Sequence, residues 1–162
     1  MRQILIIPLL CYLFLLLEFV LFNLFGRWGD PHLLLILVVF VYLYSGIRYS
    51  LWAAFWAGMF KDCFSTMPFG TIIFVYMSCA CLAMLVRRYC YERGSQVSRL
   101  WMVFCMITAH TLFMGMLHTM IFEETRWLDV WGGIWFPEAF STLIVTLFVF
   151  GKLGDLARSM RF

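Results

Sequence analysis

With 162 residues, 64% of them hydrophobic and only 13% charged, against roughly a quarter charged in an ordinary soluble domain, the chain has more apolar surface than a soluble protein of this size could bury. A net charge of only +3 argues against nucleic acid as a partner, and a mean hydropathy of +0.92 points to the bilayer as solvent. The expected architecture is a single transmembrane helical domain over residues 1–162, all-α and polytopic, with nothing outside the membrane long enough to fold alone.

The chain opens like a signal peptide, with Arg2 followed by the apolar run Ile4 to Leu17. Apolar character continues to Phe25, broken only by Glu18 and Asn23, and no small-x-small cleavage site follows. The segment therefore reads as a retained helix. Five further spans follow: His32–Ser45, Tyr49–Phe64, Phe69–Val86, Leu100–Phe122 and Phe136–Phe150. The second and third are short, and Leu33 to Phe60 can also be read as one interrupted span, giving five helices instead of six.

Charge placement favours six. With the N-terminus in the cytoplasm, the inner ends hold Arg2, Arg48, Arg87, Arg88, Arg93, Arg99, Lys152, Arg158 and Arg161. The outer ends hold Arg27, Lys61 and Arg126, a strong positive-inside bias. Asp30, Asp62, Glu123, Glu124, Asp129 and Glu138 collect outside. Merging the second and third spans would bury Arg48 within a long helix, which is unfavourable by several kcal/mol on roughly any scale. Six spans with both termini cytoplasmic is the expected topology.

Trp28, Trp101 and Trp127 fall where the interfaces should be. Between the fifth and sixth spans, Trp127, Trp131 and Trp135 recur every four residues, which suits a short amphipathic helix on the outer leaflet. Pro137 fits the first turn of the last span. The basic loop from Arg87 to Arg99 reads as a topology signal that could also rest on anionic lipid.

No G-x-S-x-G, H-E-x-x-H or Walker A pattern is present, so no catalytic residue is assigned. His110 and His118 lie about 80° apart around one helix and are expected to hydrogen-bond to neighbouring helices; no metal, haem or other cofactor is expected. The six cysteines, mostly within apolar runs and including Cys79-Ala-Cys81, read as small core residues. Glu18, costly inside a span, reads in two ways. It is a pocket ligand or a polar contact with another helix or subunit, or it is a protonated or outward-reaching carboxylate near the interface.

The sharpest local pattern is Gly58-Met-Phe-Lys-Asp62 followed by Pro68-Phe-Gly70. Gly58 and Asp62 share one helix face. Gly58 permits close approach of another helix, and Asp62 can accept hydrogen bonds from the free N–H groups that start the fourth span. The physical reading is a pinned helix hairpin.

Taken with Pro31 before its leucine-rich span, Gly46-Ile-Arg48, Arg87-Arg88 and Pro137, this segment resembles the MreD family of rod shape-determining proteins. The likeness is best over about Asp30 to Arg88. The family often carries an asparagine shortly after the last proline, where this chain has Ser141 and Thr142.

The resemblance implies a non-enzymatic component of the bacterial inner membrane and of the cell-elongation machinery, organising peptidoglycan synthesis. It implies MreC as a direct partner, through both membrane and periplasm. It places MreB, RodA and RodA's penicillin-binding transpeptidase in the same complex, and membrane lipid around all of them. It also implies a fold similar to the six-helix S components of energy-coupling-factor transporters. Pro31, Gly58, Asp62, Pro68, Gly70 and Pro137 are the structural motif, and Glu18, Trp127, Trp131 and Trp135 are candidate partner contacts. The alternative function is a vitamin-binding S component. Against it, Ile4 to Phe25 contains no alanine, whereas that class often carries alanine-x-x-x-alanine in its first helix. A small membrane enzyme would need a paired nucleophile and base, and none is found.

Overall fold

The structure, a computed structural model, describes residues 2–25, 31–90, 96–122 and 139–147. Every regular element in it is α-helical: α1 (Arg2–Phe25), α2 (Leu33–Ser45), α3 (Ile47–Asp62), α4 (Thr71–Cys90) and α5 (Gln96–Phe122). Residues 139–147 form a further helical segment, α6.

Three stretches are long and apolar enough to cross a membrane: Ile6–Leu24, Thr71–Tyr89 and Val97–Met120. The six spanning helices expected from hydropathy are thus three of full length among the described residues. At 13 residues α2 is short, because a rise of about 1.5 Å per residue gives about 20 Å against a hydrocarbon core of about 30 Å. With 16 residues α3 also falls short. The chain is a multi-pass membrane protein in which α2 and α3 make a compact pair between longer helices.

The alternative of one helix through Leu33 to Phe60 is overturned at Gly46. Its φ of 87° lies in the left-handed region, which a side chain disfavours and glycine does not. Its N–H closes α2 on the Tyr42 carbonyl at 3.1 Å, and its carbonyl opens α3 by accepting the Ser50 N–H at 3.2 Å. Ser50 Oγ donates to the Val38 carbonyl at 3.2 Å, so α3 folds back along α2. Arg48 is exposed at this reversal instead of being trapped in a long span.

All residues from Leu33 to Tyr42 are buried, so α2 is apolar all round because it is enclosed all round. The helices α1, α3, α4 and α5 pack about it. By contrast α1 leaves Leu9, Leu13, Leu16, Val20 and Leu24 exposed, a surface suited only to lipid or another membrane helix. Cys11 and Cys79 are core residues as expected, whereas Cys63 and Cys81 lie on the surface.

Along α3 the buried side is small: Ser50, Ala53, Ala54, Ala57 and Gly58. Within a bilayer, where apolar burial gives little drive, small faces let backbones approach and gain dispersion contacts. A Cβ on Gly58 would lie 2.6 Å from Ile73 Cα and 3.0 Å from Ile73 N, both backbone atoms of α4. Gly58→Ala should therefore lower the unfolding midpoint of the purified protein. The clash, about 1–3 kcal/mol, opposes the roughly 1 kcal/mol that alanine gains in helix propensity. A raised midpoint would show that these two backbones are not in contact.

Candidate functional site

The polar residues of the bundle gather where the C-terminal end of α3 meets the starts of α2 and α4. An α-helix begins with N–H groups that have no partner of their own. At α4 these are served from outside the helix by Asp62, which is buried. Its Oδ2 accepts from Gly70 N at 3.0 Å and Ile73 N at 3.1 Å, and its Oδ1 accepts from Ile72 N at 3.0 Å. One carboxylate therefore caps the helix and sits at the positive end of its dipole. Pro68 completes the turn, its carbonyl accepting from the N–H of Thr71 at 3.2 Å and its hydroxyl at 2.7 Å.

Next to Asp62 in the chain, Lys61 of α3 is paired with the buried Glu18 of α1, Nζ to Oε1 at 2.6 Å. The other Glu18 oxygen accepts the Leu34 N–H at the start of α2, at 3.3 Å. Lys61 Nζ also lies 3.5 Å from His32 Nδ1. The His32 N–H donates to Thr142 Oγ1 of α6 at 3.2 Å, tying the last described helix to the head of α2. Charges inside a membrane protein persist where they are paired and hydrogen-bonded, and this pair joins α1, α2 and α3.

From His32 the cluster continues inward by ring contact. The rings of His32 and His110 lie 4.8 Å apart between centroids, and His110 meets Tyr76 edge-on at 5.5 Å. The expectation that His110 hydrogen-bonds to a neighbouring helix is not met at Nδ1, which has no such partner among the described residues. The ring instead packs against those of His32 and Tyr76. No group of three or more metal-ligating side chains occurs among the described residues.

Beside the ion pair a pocket of about 270 Å³ opens between α1 and the α3–α4 turn. Exposed Phe19, Phe22 and Phe64 and buried Leu15 and Ile72 line it, and Glu18, Lys61 and Ser65 supply its polar groups.

Residues 1–150 match the family of the rod shape-determining protein MreD. The chain belongs to the MreD family. The role that follows is that of a non-enzymatic membrane component of the cell-shape and elongation machinery. No curated protein and no solved structure matches the chain.

In this MreD family member, Gly58, Asp62, Pro68 and Gly70 come together at the head of α4. Pro31 is buried ahead of α2, where its carbonyl accepts the Leu33 N–H at 2.8 Å. Pro137, Trp127, Trp131 and Trp135 lie outside the described residues. Of the two readings of Glu18, the structure has the polar contact with another helix. Lys61 and His32 were not singled out from the sequence. The signal for Lys61 was its depth: threading six spans places it at the outer end of the third, level with the outer half of the first, where Glu18 sits.

Proposed function

We propose that the chain is an inner-membrane scaffold of the elongation complex that docks the membrane helix of MreC. Its outer Trp127–Trp135 segment touches the periplasmic part of the same partner. Membership of the MreD family carries this reading. The bundle supports it: the strongest polar groups of the described residues are spent on joining helices to one another, and a broad apolar face of α1 stays uncovered.

The topology proposed for this role has six membrane-entering helices over one domain of residues 1–162, with both termini in the cytoplasm. The positive-inside bias supports it, as does the reversal at Gly46, which keeps Arg48 and Lys61 at opposite ends of α3. The acidic, tryptophan-rich outer side then faces MreC, and the basic inner side faces MreB and anionic lipid. RodA and its penicillin-binding transpeptidase join through the same assembly. The likeness to S components of energy-coupling-factor transporters rests on the family resemblance.

A photoreactive amino acid at Trp131 or Trp135, activated in living cells, tests the outer contact. Crosslinks to the periplasmic part of MreC are expected. Crosslinking to lipid alone, at wild-type abundance of both proteins, would contradict it.

A further inference from the structure

The two ends of the bundle carry opposite charge. Glu18 and Asp62 are the only carboxylates among the described residues, and both serve the end where α2 and α4 begin. At the other end α2 and α4 finish, and α3 and α5 start. Gly46 alone separates α2 from α3, and the Arg87 guanidinium of α4 lies 5.3 Å from the centroid of the Tyr42 ring of α2, so these ends adjoin. They hold Arg48, Arg87, Arg88 and Arg99 and no described carboxylate. Arg48 and Arg88 are exposed, and Arg99 is half-buried. Over the whole sequence, the inner side of the six-span topology has nine basic residues against two acids, Glu92 and Asp155.

Two of these arginines sit against the local helix field. A helix start is the positive end of its dipole, where acidic side chains stabilise and basic ones do not. Arg48 is the second residue of α3 and Arg99 the fourth of α5, and neither first turn contains an acid. Positive-inside topology accounts for their side of the membrane but not for their place at helix starts. With so few acids on this side, the excess charge must be met from outside the chain.

Neighbouring aromatics give the depth. Exposed Trp52 follows Arg48 by one turn, exposed Tyr89 adjoins Arg88, and exposed Trp101 lies two residues beyond Arg99. Trp52 and Trp101 are stacked on Phe55 and Phe104, with centroids 6.2 and 5.7 Å apart. Such side chains collect at the membrane interface. The arginines are therefore held at headgroup level, where the available anion is lipid phosphate.

We propose that Arg48, Arg88 and Arg99, with Trp52, Tyr89 and Trp101, form a rim that selects anionic phospholipid in the leaflet it faces. This deepens the reading of the basic inner side and rests on it only for naming that leaflet the cytoplasmic one. It does not require MreC, so either can fail without the other.

The test offers the full chain, delipidated in detergent, phosphatidylglycerol or phosphatidylcholine of the same acyl chains, and reads lipid retention by native mass spectrometry and the unfolding midpoint. Phosphatidylglycerol should be retained about fivefold better or more, the factor expected from one arginine at an anionic surface, and should raise the midpoint further. High salt should narrow both differences. Arg48→Gln/Arg88→Gln/Arg99→Gln should lose the preference. Arg48→Gln/Arg99→Gln should unfold earlier than wild type in phosphatidylglycerol, but at the same temperature or later in phosphatidylcholine, because it removes cations from two helix starts. Equal retention of the two lipids by the wild-type chain would overturn the rim and leave the arginines as topology signals. So would a preference unchanged in the triple variant, or an equal fall in the double variant's midpoint in both lipids.

Discussion

Asp62→Ala is expected to destabilise the bundle by about 3 kcal/mol or more, the scale set when a buried charged acceptor is removed and its donors are left unpaired. Three N–H groups at the head of α4 lose their acceptor together, and none can turn to another helix carbonyl because they are the first of their helix. The same change frees the turn from residue 63 to residue 70, so the contact between Gly58 and Ile73 loosens as well. Asp62→Asn should fall between wild type and alanine, since its amide keeps one acceptor oxygen and turns two donors toward other donors. Thermal unfolding of the purified protein and its abundance in membranes read the effect. Unchanged abundance and unchanged partner recovery in Asp62→Ala would remove Asp62 from this role.

Removing Lys61 should be comparably damaging for a different reason. Lys61→Met leaves Glu18 buried with one backbone N–H and no counterion, and stranding one member of a buried pair costs about 3–5 kcal/mol. Lys61 is a quarter exposed, so the lower end of that range is expected. The distinguishing outcome is rescue. Glu18→Gln added to Lys61→Met should restore most of the lost stability, because the uncompensated charge is gone and an oxygen remains for the Leu34 N–H. If Glu18→Gln alone destabilises as much as Lys61→Met, and the double variant sums the two, the groups are not acting as a pair.

Much of the bundle was legible because lipid imposes strong rules. Apolar run lengths marked the helices, and the cost of burying Arg48 pointed to the break that Gly46 provides. The carboxylate of Asp62 could be assigned to the start of α4 because both partners lie within a short turn. Burial was not legible. In water, polarity separates an inner face from an outer one, but here the lipid-facing residues of α1 and the enclosed residues of α2 are equally apolar. Nothing in α2 announces that it is the centre.

The long-range polar contacts were hidden for a related reason. Glu18 could be recognised as costly, yet its partner lies 43 positions away, and His32 meets Thr142 across 110. Such pairs depend on how helices approach, which spacing along one helix does not encode. The ends of α2 and its shortness were legible, since the apolar run stops at Ser45 as the helix does; what the run did not give is three full-length spans among the described residues where six were expected.

The most direct measurement is recovery of partners from the native membrane. The tagged chain, expressed in its own bacterium and extracted in mild detergent, should bring down a single-span periplasmic protein of the MreC kind together with wall-synthesis enzymes. Recovery instead of paired ATPases with a large membrane coupling subunit would contradict the scaffold and point to a transporter.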